Sequence, residues 1–136
     1  MSDVHVSVRL GAESYALPVT HVLEVIPRGV LSPLPGAGEH VLGVRNLRGQ
    51  VVGVFNLAAL LGSDGGDAPD RICVASHTAG LAGLAVDEVL DVGELPGEGE
   101  ASDADLLARS TLANGRLVGV VDMDALFAEL ERRGGL

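Results

Sequence analysis

Val4, Val6, Val8 and Leu10 alternate with His5, Ser7 and Arg9. A period of two marks a strand with one buried face, here residues 4–10. Gly11-Ala12-Glu13 turns it into a second strand at 14–17. Pro18 opens a short helical turn through residue 23, because proline is tolerated at the first helical position. A strand follows at 24–26. Residues 27–38 hold three of the six prolines and form a connection. Strands at 41–47 and 51–55 flank Arg48-Gly49-Gln50, and Asn56 caps a one-turn helix at 57–61. The stretch 62–69 is rich in glycine and aspartate and reads as a linker. After it the order recurs: strands at 71–77 and 81–86, a short helix, and a strand at 90–95. An acidic loop spans 96–105. Strands at 106–112 and 116–121 flank Asn114-Gly115, a strong hairpin signal. A closing helix runs over 122–132, with Asp122 as cap and Arg132 and Arg133 at its negative end.

The recurrence extends to residue identity. Residues 17–25 match 84–92 at five of nine positions, with Glu24 answered by Asp91. Residues 49–60 match 115–126 at six of twelve. The offsets are 67 and 66. A duplicated unit of this length predicts two similar subdomains in one domain over 1–136, with approximate repeats 1–66 and 67–136. Two copies are too few for a solenoid. Each copy has about five short strands and little helix, and such antiparallel units close most easily as small barrels. The fold class is mainly β.

Composition narrows the core. Hydrophobic residues make up 47% of the chain and aromatics 2%, so the core is built from Val, Leu, Ile and Ala. There is no lysine, and nine arginines carry all the positive side-chain charge against 19 acids, for a net charge of −10. That balance argues against nucleic acid and against an anionic membrane surface. The single Cys73 sits in an apolar run and reads as a buried small hydrophobe. No apolar stretch reaches transmembrane length and no signal-peptide pattern opens the chain, so a cytoplasmic protein is expected.

Catalytic chemistry is missing from the pattern. His5, His21, His40 and His77 are scattered and read as surface or strand residues without metal-ligand spacing. Asp64, Asp67 and Asp70 lack the alternation and terminal Glu of a calcium loop. Asp87-Glu88 read as acids at a helix start. No phosphate loop, dinucleotide fingerprint or nucleophile elbow is present. Catalytic residues, cofactors and metals are therefore expected to be none. Binding remains. Arg45 and Arg48 surround a tight turn between apolar strands, a setting suited to carboxylate recognition on a partner protein. Pairing of these arginines with the chain's own acids is the alternative. A second function class is a small ligand-binding β domain using the cleft between the copies.

The run Gly43-Val44-Arg45-Asn46-Leu47-Arg48-Gly49, followed by Val51-Val52-Gly53-Val54, resembles the G-V-x-N-L-R-G-x-V-(I/V)-P-(I/V)-x-D-L signature of CheW-like chemotaxis coupling proteins. Upstream, Tyr15 to Val19 and Val22 to Ile26 resemble that family's first hairpin and short helix. Downstream, Gly83 to Val92 resembles its G-L-x-V-D-x-V stretch, and Leu112 to Phe127 its closing hairpin and helix. The likeness covers nearly the whole chain.

The resemblance implies two intertwined SH3-like five-stranded barrels, with terminal segments crossing between them. It implies a non-catalytic adaptor that joins the cytoplasmic tip of a methyl-accepting chemoreceptor to the regulatory domain of a CheA-like histidine kinase. Such a protein is cytoplasmic, held at membrane receptor arrays through its partners, with no insertion of its own. The implied protein-binding residues are Val22, Glu24, Arg45, Asn46, Arg48 and Gly49, with barrel-end surfaces of both copies meeting the kinase. Gly53, Asn56 and Ala58 depart from the usual Pro, Asp and basic residue of the signature, and Ala108 from a usual Gly.

Overall fold

The computed structural model describes residues 4–65, 69–96, 99–102 and 104–134. The alternating N-terminal run forms β1 (Val4–Leu10), which turns into β2 (Glu13–Pro18). A 3-10 turn at Val19–His21 leads to β3 (Val22–Pro27). A long connection reaches β4 (Val41–Leu47), which hairpins into β5 (Gln50–Asn56) and helix α1 (Leu57–Leu61). The second half contributes β6 (Arg71–His77), β7 (Gly80–Val86) and β8 (Glu88–Glu94). It ends with β9 (Glu100–Ala101), β10 (Leu107–Ala113), β11 (Arg116–Val121) and helix α2 (Met123–Arg132). Asn56 and Asp122 cap the two helices, accepting from the N–H of Ala59 and Ala125.

The strands make two sheets, and each draws on both halves of the chain. Barrel 1 has the order β3-β6-β7-β5-β4, and barrel 2 the order β8-β1-β2-β11-β10-β9. The β6–β7 hairpin therefore completes the first-half sheet, while β1–β2 completes the second. Both insertions use a parallel pairing at the same step: Gly83 lies opposite Val54, and Ala16 opposite Val120. Irregularities repeat as well. The β3–β6 register shifts between Val22 and Glu24, and the β1–β8 register between Ser7 and Val8, where Val89 and Asp91 lie opposite. The β4–β5 and β10–β11 ladders shift at Val41/Gly43 and at Leu107/Arg109. The two-residue β9 adds a sixth strand to barrel 2, beyond the five expected per unit.

The largest core lies between the barrels. Val6, Val8 and Leu10 of β1 enter it with Phe55, Leu84 and the apolar stripe of α2. That stripe is Met123, Leu126, Phe127 and Leu130, the i, i+3, i+4, i+7 spacing of one helix face. This packed layer occupies the region between the copies, where the ligand-binding alternative placed its cleft. Leu60 of α1 and Leu126 of α2 both belong to this shared layer. The barrel interiors are smaller clusters, one around Val54, Ile72 and Val74, the other around Ala16, Val118 and Val120.

One local expectation is corrected. No helix forms at Asp87-Glu88. The second copy has Ala85 where the first has Pro18, whose φ of −57° presets the 3-10 turn. The Asp87 carboxylate instead accepts the Gly11 N–H at 2.6 Å, and Arg9 pairs with Glu88 at 3.0 Å, so β7 runs directly into β8. His5 is a strand residue, as expected. It lies buried on β1, on the face turned from the shared core. Among the described residues, no helix is long and apolar enough to cross a membrane.

Candidate functional site

The β4–β5 hairpin turns on two residues with positive φ, Arg48 at 50° and Gly49 at 86°. This is the backbone of a two-residue turn whose twist matches the flanking strands. Asn46 fixes it, its Oδ1 accepting the Gly49 N–H at 2.9 Å. Glycine enters the left-handed region freely, whereas an ordinary L-residue is disfavoured there by roughly 1 kcal/mol. Arg48 is thus held in an unfavourable backbone state at the tip of the turn.

Its side chain leaves the turn and reaches β3. Nη1 of Arg48 lies 2.7 Å from Oε2 of Glu24. The hydrogen bond that Arg48 donates to Glu24, and then the Glu24 charge, hold the guanidinium pKa above its ordinary value. Arg48 remains 78% exposed at the side chain and Glu24 28%, so the pair sits on an open face, where screening makes it weak as a stabilising contact. The neighbouring positions of β3 are apolar and lie on the face opposite to Glu24. Leu23 and Val25 flank Glu24 on β3 and are exposed, and Val51 is exposed opposite Asn46. These three escaped the sequence reading. The signal for Leu23 and Val25 was present in β3, where Val22-Leu23 and Val25-Ile26 put apolar residues on both faces of one strand.

The remaining expected residues separate. Val22 is half-buried and packs on the shared core. Arg45 turns away from the tip: its Nη1 donates to the carbonyls of Pro27, at 2.5 Å, and Arg28, at 2.8 Å. It clamps the β3–β4 connection, over Gly29, whose absent Cβ leaves room for the guanidinium. Arg45 is therefore engaged with the chain itself. Glu24, Asn46, Arg48 and Gly49 are the ones brought together.

Other candidate chemistry resolves into packing. Burial pushes the Cys73 thiol up to about 12, which keeps it protonated and unreactive. The His77 ring stacks between His21 and Phe127, and its Nε2 lies 2.7 Å from Asp124 of α2. Its Nδ1 accepts the Ala79 N–H, so Nε2 carries the proton given to Asp124. Asp70 pairs with Arg71, and Asp67 lies outside the described residues. Among the described residues no group of three His, Cys, Asp or Glu side chains could hold a metal ion.

Two linked barrels with an exposed ion pair on a rigid turn define a docking module that works by contact rather than by chemistry. The comparisons agree. The family model for the CheW-like domain matches residues 5–131. A chemotaxis protein CheW of Rhizobium meliloti is 32% identical over 93% of this chain and 88% of its own length. Another, from Thermotoga maritima, is 26% identical over 96% of this chain and 91% of its own. The crystal structure of the scaffolding protein TtCheW from Thermoanaerobacter tengcongensis superposes with a TM-score of 0.84, at 24% identity over 93% of this chain and 88% of that one. The chain belongs to the CheW-like domain family, whose members are non-catalytic chemotaxis scaffolds.

Proposed function

We propose that this chain couples the cytoplasmic tip of a chemoreceptor to the regulatory domain of a CheA-type histidine kinase. It acts in the cytoplasm and is held at receptor arrays by those two partners. The observation that carries the reading is the Glu24–Arg48 pair on an exposed turn, where an arginine occupies a backbone position that favours glycine or asparagine. A guanidinium fixed in this way recognises a partner's carboxylates or carbonyls in one orientation. The barrel ends of both copies supply the kinase contacts, and the exposed Leu112 and Leu117 on barrel 2 support that role.

The test is calorimetric titration of the purified chain with a CheA-type regulatory domain and a receptor tip from the same organism. Arg48→Glu should weaken receptor-tip binding on the order of tenfold or more, the usual result of reversing an interfacial charge. The melting temperature should stay nearly constant. Unchanged affinity for both partners, or loss of affinity only through unfolding, would remove Arg48 from the interface.

A further inference from the structure

The chain has three asparagines, and Asn114 alone is followed by glycine. Asn46 and Asn56 precede Leu47 and Leu57. Both have an engaged amide: Asn46 Oδ1 accepts the Gly49 N–H at 2.9 Å, and Asn56 Oδ1 the Ala59 N–H at 3.3 Å. The Asn114 amide bonds to no other residue among the described residues. It sits exposed at the tip of the β10–β11 turn, with φ 52°.

The glycine of this turn differs from that of the first turn as well. Asn46 stands opposite Val51 on β5, and Leu112 opposite Leu117 on β11, so Asn46 and Leu112 hold equivalent places. Leu112 has no amide to offer, and no described group accepts the Gly115 N–H. In the first turn the Gly49 N–H is capped, and the residue before it is Arg48, which has no side-chain carbonyl. Space is open too. Gly115 has no Cβ to hinder an approach to its nitrogen, and a Cβ built there would meet nothing within 4 Å.

We infer that the uncapped turn at Asn114 is a site of spontaneous covalent modification, in which the Gly115 backbone nitrogen displaces the side-chain amide of Asn114. The nitrogen bonds to Cγ, the bond from Cγ to the amide nitrogen breaks, and ammonia leaves with the proton that Gly115 gives up. Water then opens the five-membered imide. Attack at Cγ leaves aspartate. Attack at the backbone carbonyl leaves isoaspartate, with the chain routed through Cγ and one more methylene in the backbone. Aspartate tolerates the left-handed position as asparagine does. It adds a negative charge to a rim that Asp91 and Glu94 already line. Isoaspartate lengthens a two-residue turn and breaks the pairing of Ala113 with Arg116. With age, barrel 2 loses its twist-matched turn while barrel 1 keeps its own.

The test incubates the folded chain in mildly alkaline buffer and follows each asparagine by peptide mass spectrometry. Amide should be lost at Asn114 roughly tenfold faster, or more, than at Asn46 and Asn56, where leucine follows. The same peptide should accumulate isoaspartate, scored with a methyltransferase that esterifies this residue. Two variants examine the cap. Leu112→Asn gives the second turn the residue that caps the first, and should slow the loss at Asn114 several-fold in the folded chain but not in urea. Arg48→Asn places the same dipeptide under the Asn46 cap, and the new amide should outlast that of Asn114. An Asn114 as durable as Asn46 and Asn56 in the folded chain overturns the proposal. So does loss at Asn114 that occurs only in urea, since the folded turn then protects the amide. Equal rates with and without Leu112→Asn in the folded chain overturn it as well, because the uncapped Gly115 N–H is then not the cause.

Discussion

The turns at Arg48-Gly49 and Asn114-Gly115 share a backbone and differ in what they carry. Their φ angles are 50° and 86° in one, 52° and 77° in the other. Asparagine tolerates the left-handed region because its short amide bonds locally. Arginine has no such compensation, so barrel 2 has the residue that suits the turn and barrel 1 one that suits something else. Across from each turn stand Glu24 and Asp91, at equivalent steps of β3 and β8. Only Glu24 has a cation to hold. A duplicated scaffold thus contains its own control. What both copies keep is what the fold requires, and what one copy alone keeps points to a task.

The largest effects should fall where the copies agree. Leu60 on α1 and Leu126 on α2 are equivalent and both buried in the shared layer. Truncating either to Ala should cost about 2–5 kcal/mol, through lost transfer energy and a cavity, measured by urea unfolding. One costly and one harmless truncation would break the equivalence.

Next comes a position where the copies differ for a steric reason. Gly43 has φ 148°, and a Cβ there would lie 2.5 Å from the Ser32 carbonyl, which bridges to β4. Gly43→Ala should cost about 1–3 kcal/mol in the same assay. Arg109, its counterpart beside the β10 bulge, should tolerate Ala with a smaller loss. Equal costs would show that the close approach of Ser32 is relieved at no expense.

A smaller effect is expected at the turn itself. Arg48→Asn gives barrel 1 the residue of barrel 2. The melting temperature should hold or rise by up to about 2 °C, as backbone strain is relieved and a screened pair is lost. Receptor-tip binding should fall nonetheless. A drop of several degrees would show that the Glu24 contact is structural.

The smallest effect is a pH dependence. His40 precedes β4 as Leu106 precedes β10, and the carbonyls of both accept from the helix-capping residues Asn56 and Asp122. Burial, and then the Arg133 charge, hold the His40 pKa below the ordinary imidazole value, and its Nε2 is buried without a partner. As pH falls below about 6.5 the unfolded chain takes up this proton first, so the histidine's contribution is complete at neutral pH and is lost on acidification. His40→Leu should therefore flatten the decline of melting temperature between about pH 7 and 5. Parallel slopes for parent and variant would remove His40 as a source of that decline.

Local elements were legible wherever one residue decides them. Alternation gave β1, the capping side chains of Asn56 and Asp122 placed both helices, and Asn114-Gly115 placed the last hairpin. The helix expected at Asp87 failed because the repeat was extended to a position where the second copy lacks Pro18. Local pattern is silent on which hairpin joins which sheet, since β1–β2 and β6–β7 present similar apolar faces and similar edges. The turn was legible at Asn46, Arg48 and Gly49, where its chemistry is local. The internal contacts of Arg45 were not legible, because the carbonyls of Pro27 and Arg28 are brought near only by the path of the β3–β4 connection.

The exchange of hairpins also sets a schedule for synthesis. β2 ends at Pro18, but the strand it pairs with in parallel, β11, ends at Val121. At about 5–20 residues per second, roughly 5–20 seconds separate their appearance from the ribosome. Throughout that interval the first hairpin waits with one edge unpaired and Val6, Val8 and Leu10 uncovered. Neither barrel closes on half a chain, so each sheet stays incomplete until strands of the second half emerge.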